Sequence, residues 1–173
     1  LERLLTRARE AGADCAVSSI IHESAPPGAA RRGRPDSADA ALSRPLDSSF
    51  RHRLWHHALF RTSVLRSLGG YYGGFRVGFD TLLMNLLLMS ARVVGEERVL
   101  YHRLLRAGSL VHDRATGFQS RTRLVTGQQL ARLYREALAV QRASTPGTDP
   151  AVLRQRLRSI VRRGVPTSER QAL

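Results

Sequence analysis

Residues 1–21 read LERLLTRAREAGADCAVSSII, and this stretch decides the fold class. Its first twelve residues place leucine and alanine on one stripe and charged residues elsewhere, which predicts an amphipathic helix. Gly12 is a helix stop signal, and the short run that follows at 15–21 predicts a buried strand. A helix, a glycine and a buried strand in this order form half of a βαβ unit, so we expect an α/β fold.

The composition is that of a globular chain. Its 173 residues suffice for one domain, or for one domain and a small appendage. Hydrophobic residues make up 42 % and charged residues 24 %, which excludes wholesale disorder. The single cysteine, Cys15, excludes an intramolecular disulfide framework. No window holds the ~18 consecutive apolar residues that a membrane-spanning helix needs.

The net charge of +14 comes from 28 basic residues, all of them arginine. Arginine without lysine, beside abundant alanine, glycine and leucine, indicates the codon bias of a GC-rich genome, because phosphate-binding surfaces normally use both basic residues. We therefore do not expect nucleic acid as the partner. Residues 101–173 carry 14 arginines against four acidic residues, so the basic surface belongs mostly to this last part of the chain.

Residues 23–49 differ in character from the segments on either side. Three proline-bearing breaks in a background of alanine, serine and aspartate predict a long mobile loop. Hydrophobic spacing predicts regular elements further along the chain. The predicted strands cover residues 58–60, 92–95 and 99–103, and the predicted helices cover 64–68, 79–89, 124–142 and 150–163.

A glycine- and aromatic-rich loop leads into the predicted helix that begins around Asp80. Glycines let the backbone approach a ligand closely, and aromatic rings offer flat faces on which sugar rings stack. Gly70, Tyr71 and Tyr72, with the nearby Trp55, are therefore candidate ligand-binding residues. A carboxylate at such a loop–helix junction is placed to take a proton from an incoming hydroxyl, so Asp80 is the candidate catalytic residue. The alternative is that Asp80 only caps its helix.

A second candidate segment ends a predicted strand with His102, Arg103 and Arg106, ahead of a Gly-Ser turn. Arginine binds phosphate oxygens in a bidentate manner, and histidine binds a divalent metal or shuttles a proton. The alternative is a solvated strand end. The histidines form no H-E-x-x-H helix and have no cysteine pair beside them, so no structural zinc site is predicted. Neither a phosphate-binding P-loop nor a G-x-S-x-G elbow occurs.

Four segments, taken in order, resemble family 2 glycosyltransferases with the A-type fold. Residues 1–14 resemble the helix that follows the D-x-D segment of that family, and residues 59–70 resemble its F-R-R-x-x-L-x-x-L-G-G-F segment near the acceptor site. Residues 77–83 stand in the place of its G-E-D helix start. Residues 99–110 are similar to its L-Y-x-x-R-x-x-x-x-S-L-T ending. The resemblance covers residues 1–122.

The resemblance implies an inverting transfer from a nucleotide-sugar donor to a saccharide or lipid-linked acceptor. Asp80 would be the general base that deprotonates the acceptor hydroxyl. Arg103 and Arg106 would bind the donor's diphosphate, and His102 would bind a divalent Mg²⁺ or Mn²⁺. The acceptor would be bound by Trp55, Gly70, Tyr71 and Tyr72.

Two departures from the family pattern bear on activity. Phe79 stands where the family usually has glutamate, and the D-x-D motif is absent. The D-x-x-D string at 36–39 lies in the predicted loop and does not replace that motif. Without D-x-D, the chain lacks the carboxylates that hold the metal against the diphosphate. We therefore expect a fragment of a longer enzyme or a truncated relative, inactive as this isolated chain.

The expected architecture is α/β: a partial A-type glycosyltransferase fold, with a mixed sheet flanked by helices, over residues 1–122. An arginine-rich helical extension follows over residues 123–173. We expect a cytoplasmic location. Two interpretations of the extension stay open: a helix pair that packs on the core and carries arginines on its surface, or a peripheral contact with a membrane. The alternative function is a non-catalytic basic helical module that binds nucleic acid, anionic lipid or an acidic partner.

Overall fold

The computed structural model describes residues 1–24, 36–71, 74–75, 77–105, 117 and 119–165. Over these ranges the architecture is mixed α/β, with one three-stranded mixed sheet and six helices. The predicted α/β class is therefore confirmed.

The sheet has the spatial order β2-β1-β3. Its strands are β1 (Cys15–Ser24), β2 (Ala58–Phe60) and β3 (Val93–Leu105). β1 pairs in parallel with β3 and antiparallel with β2, so Cys15 lies between Val93 and Phe60. The two strands predicted at 92–95 and 99–103 are a single strand, β3. Glu97, Arg98 and Leu100 have no partner in the register with β1, and regular pairing continues from Tyr101 onward.

The predicted helices are confirmed, with small shifts at their ends. They are α1 (Glu2–Glu10), α3 (Thr62–Ser67), α4 (Phe79–Ser90), α5 (Arg121–Ala143) and α6 (Pro150–Gly164). Gly12, just beyond α1, has φ +57, a left-handed conformation that explains the glycine at this helix stop. α4 is buried on nearly every side, which accounts for its almost uninterrupted hydrophobic sequence.

Residues 36–49 differ from the predicted loop. They contain a further short helix, α2 (Ala38–Leu42), which Ser37 caps by accepting a hydrogen bond from the Ala40 amide. Ala38 and Ala41 are buried in the core, and the Ala38 amide donates to the Ser19 hydroxyl. Small alanines let this helix lie close against the sheet, so the segment is packed although its composition is loop-like. Glu23 and Ser24 belong to β1, and residues 25–35 lie outside the described residues.

α5 and α6 pack against α4 and share one buried cluster with residues of the sheet. The hydrophobic stripe of α5, including Leu133 and Tyr134, is therefore covered. The Tyr134 hydroxyl donates to the Asp47 carbonyl, which connects α5 to the segment that follows α2. Within the described ranges, no helix combines the length and hydrophobicity needed to cross a bilayer.

Candidate functional site

A cluster of three histidines, His52, His56 and His57, lies beside the carboxyl-terminal halves of β1 and β3. Because these two strands run parallel, their carboxyl ends meet at one edge of the sheet, which is where α/β folds place ligands. The segment between α2 and β2 carries this histidine cluster to that edge. The first turn of α4, with Asp80 and Thr81, borders it.

Contacts with both strands hold the histidine cluster in place. The His57 ring stacks on Tyr101 of β3, with centroids 3.7 Å apart and planes 19° from parallel. The Trp55 indole N–H donates to the Ser18 carbonyl of β1 at 2.7 Å. His52 Nδ1 lies 3.4 Å from the Thr81 hydroxyl oxygen. The cluster thus contacts β3 and α4 directly, and the neighbouring Trp55 connects it to β1.

Asp80 lies directly against the histidine cluster. Its Oδ2 atom is 3.5 Å from His56 Nδ1, within ion-pair range but without hydrogen-bond geometry. The carboxyl group is 35 % exposed, so an incoming hydroxyl can reach it. Gly78 is the N-cap of α4, and no side chain makes a capping hydrogen bond there. Asp80 therefore makes no capping hydrogen bond, although its carboxylate in the first turn of α4 is favourably placed toward the helix dipole.

Burial is the largest influence on the ionisation of the histidine cluster. It lowers the pKa of His52 and His56, and the neighbouring Asp80 partly offsets this effect by raising both pKa values. For His57, burial followed by the charges of His56 and Arg103 lowers the pKa to about 4. Neutral imidazoles are therefore the expected forms around Asp80 near pH 7.

Arg103 approaches the histidine cluster from β3. It lies opposite His22 of β1 in the parallel register, and its charge lowers the pKa of all three clustered histidines. Arg103, His22 and His52 line a cavity of about 200 Å³ together with residues of α2 and the segment after it. The structure thus brings the candidate phosphate-binding residue Arg103 and the candidate base Asp80 to the same histidine cluster.

The predicted ligand-binding residues occupy different positions around this edge. Tyr71 is half-buried and meets the His56 ring edge-on, with centroids 6.1 Å apart. Gly70, half-buried, has φ +83, which explains a glycine there. Trp55 is 9 % exposed, and it contributes to the wall of the 200 Å³ cavity as well as to the core. Tyr72 lies outside the described residues.

The predicted metal and phosphate ligands are not all brought together. Alternation along β3 directs the exposed His102 to the opposite face of the sheet from Tyr101 and Arg103. Arg106 lies outside the described residues. In the part of the chain that the structure describes, no three His, Cys, Asp or Glu side chains converge to hold a metal ion. The described residues therefore do not fit the implied Mg²⁺ or Mn²⁺.

A larger groove of about 440 Å³ lies between α1 and β2. Its charged lining residues are Arg9 and the ion pair between Arg61 and Asp14, whose Nε and Oδ1 atoms are 3.0 Å apart. Its described lining residues include no histidine and no second carboxylate for acid–base chemistry. Size alone therefore does not make it the better candidate for chemistry.

The sequence singles out Asp80, Arg103 and the histidines at 52, 56 and 57, but the histidines match no zinc motif and nothing in the pattern places them beside Asp80. His22 carries no signal of its own in the sequence. A usable signal was present, because three histidines within six residues, next to a tryptophan, are unusual in a surface loop. Comparisons with protein-family models, curated proteins and solved structures find no match to the chain. The resemblance to family 2 glycosyltransferases therefore stays a prediction from the sequence.

Proposed function

We propose that this chain is the acceptor-side part of a family 2 glycosyltransferase with the A-type fold, acting on a nucleotide-sugar donor and a hydroxyl acceptor. One observation carries the proposal. Asp80 and Arg103 come from two separate segments that resemble family motifs, Tyr71 directly follows a third such segment, and all three residues border the same histidine cluster. A cytoplasmic location with a peripheral membrane contact belongs to the same proposal.

In the proposed reaction the acceptor hydroxyl attacks the anomeric carbon of the donor sugar. A new C–O bond forms as the bond to the diphosphate oxygen breaks, and the hydroxyl proton passes to the Asp80 carboxylate. The Arg103 guanidinium is suited to the charge that develops on the leaving diphosphate. His56, with its pKa lowered, stays neutral beside Asp80 and leaves the carboxylate able to accept the proton.

The divalent metal of the family would stabilise the departing diphosphate as a Lewis acid. The described residues provide no cluster for it, and the sequence holds no D-x-D motif. We therefore propose that this chain by itself binds a saccharide acceptor without turning over a donor.

Saccharide binding by the full chain tests the proposal. A glycan array and titrations with the best ligands should show binding that Tyr71→Ala weakens, by up to about tenfold for the loss of one aromatic contact. Asp80→Asn should keep this binding, and the exposed Arg92→Gln serves as a matched surface control. In a complete enzyme, Asp80→Asn should lower kcat by ~10²–10⁴-fold. The proposal is wrong if the chain binds no saccharide, or if Tyr71→Ala binds as well as the parent.

A further inference from the structure

The 200 Å³ cavity between β1, α2 and the segment after α2 has a strongly basic wall. Three arginines line it: Arg44, Arg53 and Arg103. Among the described lining residues Asp36 is the one acidic residue, and its Oδ2 atom lies 3.4 Å from His22 Nε2. Arginine carries its charge at any physiological pH. The cavity wall is therefore net positive.

Two of these arginines are unpaired within the described part of the chain. Among the described residues, neither Arg44 nor Arg103 forms a hydrogen bond or an ion pair. Arg103 is half-buried, at the carboxyl-terminal part of β3. Unpaired guanidinium groups on one cavity wall repel each other, and an anion bound between them relieves this repulsion.

Arg53 supplies a buried donor on the same wall. Its side chain is 1 % exposed, and one NH2 group faces Asp47 at 2.8 Å while the other donates to the Pro45 carbonyl at 2.8 Å. Its Nε–H has no hydrogen-bond partner within the described part of the chain. A buried donor without a partner is unfavourable and is normally satisfied by a ligand or by water.

We infer that this cavity is a binding site for a phosphate-type oxyanion, held by Arg103 and Arg44 and by the Nε–H of Arg53. Guanidinium groups match the geometry of tetrahedral oxyanions, and the imidazoles of His22 and His52 on the same wall offer further donors. Three kinds of molecule would supply such an oxyanion: inorganic phosphate, a nucleoside diphosphate or a sugar phosphate. We call the molecule that supplies it the carrier. That this carrier is a substrate of sugar transfer rests on the proposed function; the anion site rests on the geometry of the cavity.

Direct binding measurements on the full chain test the inference. Calorimetric titrations would use inorganic phosphate, a nucleoside diphosphate, a hexose phosphate and, as the uncharged reference, the methyl glycoside of that hexose. We expect saturable one-site binding of phosphate and no binding of the neutral glycoside through this cavity. The tighter of the nucleoside diphosphate and the hexose phosphate identifies the carrier.

Single substitutions distinguish this site from the general attraction of a basic protein for anions. Arg103→Gln should weaken phosphate binding by about tenfold or more, since it removes a charged hydrogen-bond donor. Arg44→Gln, at an exposed residue that should leave folding intact, should weaken it as well. Arg92→Gln removes the same charge at the other end of β3 and should leave binding unchanged.

Equal affinities in Arg103→Gln, Arg44→Gln and Arg92→Gln would overturn the inference, because binding would then follow net charge alone. Absence of saturable phosphate binding would overturn it too. Neither result depends on sugar transfer or on the glycan array. If the chain binds phosphate but no saccharide, the anion site stands and the proposed glycosyltransferase role is wrong. If the chain binds saccharide but no phosphate, the proposed function stands and the anion site is wrong.

Discussion

At the scale of single residues, the burial of the His57 imidazole lowers the stability of the folded protein in acid. The pKa of His57 is lowered to about 4, first by burial and then by the charges of His56 and Arg103. The unfolded chain binds a proton at the ordinary histidine pKa of about 6.5. Between these values the unfolded state holds more protons than the folded state, so the free energy of unfolding falls as pH falls.

We therefore expect the free energy of unfolding to decrease between about pH 7 and about pH 5, a window above the range in which carboxyl groups titrate. Denaturant unfolding at several pH values measures it, and the imidazole NMR signal of His57 should titrate near 4. His57→Gln should make the pH dependence shallower, although His52 and His56 retain a slope of the same sign. A His57 midpoint at or above 6.5 would contradict this description of His57.

Asp80 shows what can be predicted from the sequence at this scale. Its place in the first turn of a buried helix was predicted and is confirmed, because capping and hydrophobic signals are local. The position of Asp80 beside the histidine cluster was not predicted, because it depends on the parallel pairing of β1 and β3. His102 and Arg103 were grouped because they are adjacent in sequence, yet strand alternation places them on opposite faces.

At the scale of elements, the contact between α5 and α6 depends on Gly164. A Cβ atom at this position would lie 2.5 Å from both methyl carbons of Leu133, which is 2 % exposed. Gly164→Ala should therefore lower the free energy of unfolding by about 1–3 kcal/mol, because the added methyl group overpacks the contact with Leu133. This loss is larger than the stabilisation that alanine gives through its higher helix propensity.

Gly127→Ala is the matched control for this prediction. It lies inside α5, and a Cβ atom there has no heavy atom within 4 Å. Alanine in that open position should stabilise the protein by about 0.5–1 kcal/mol. Urea unfolding of both variants measures the difference. Shifts of the same sign would show that helix propensity alone governs both glycines and that α6 does not pack on Leu133 as described.

The elements also show why prediction succeeded in some places and failed in others. α4, α5 and α6 each carry enough hydrophobic residues at helical spacing to be recognised without their neighbours. α2 has five residues and only two buried alanines, so its helical state depends on the cap at Ser37 and on the sheet beneath it. Tertiary packing decides the conformation of such a short segment, and its sequence resembles a loop.

At the scale of the whole molecule, packing leaves the arginines of α5 and α6 as the main feature of their outer faces. Leu124 and Val125, near the start of α5, are more than half exposed, whereas the hydrophobic stripe further along is buried. We therefore expect binding to anionic vesicles that depends on charge, with about 1 kcal/mol for each arginine near the surface. Rising salt should abolish it, and neutral vesicles should bind little.

Co-sedimentation of the full chain with vesicles measures this binding. Arg132→Gln with Arg135→Gln, both exposed on α5, should weaken it, and Arg92→Gln is the control. Removal of α5 and α6 is not a useful control, because Leu133, Tyr134 and Leu157 contribute to the core. Equal binding to neutral and anionic vesicles would contradict a charge-driven contact, as would no binding to anionic vesicles at low salt.

The position of β1 between β2 and β3 also determines the order in which this protein can be assembled. Cys15 pairs with Phe60, 45 residues further along, and with Val93, 78 residues further along. During synthesis the central strand therefore leaves the ribosome well before either neighbour exists, with its buried hydrophobic residues uncovered. Closing two long loops around one strand slows folding, so nascent chains of this protein remain vulnerable to aggregation until β3 has emerged.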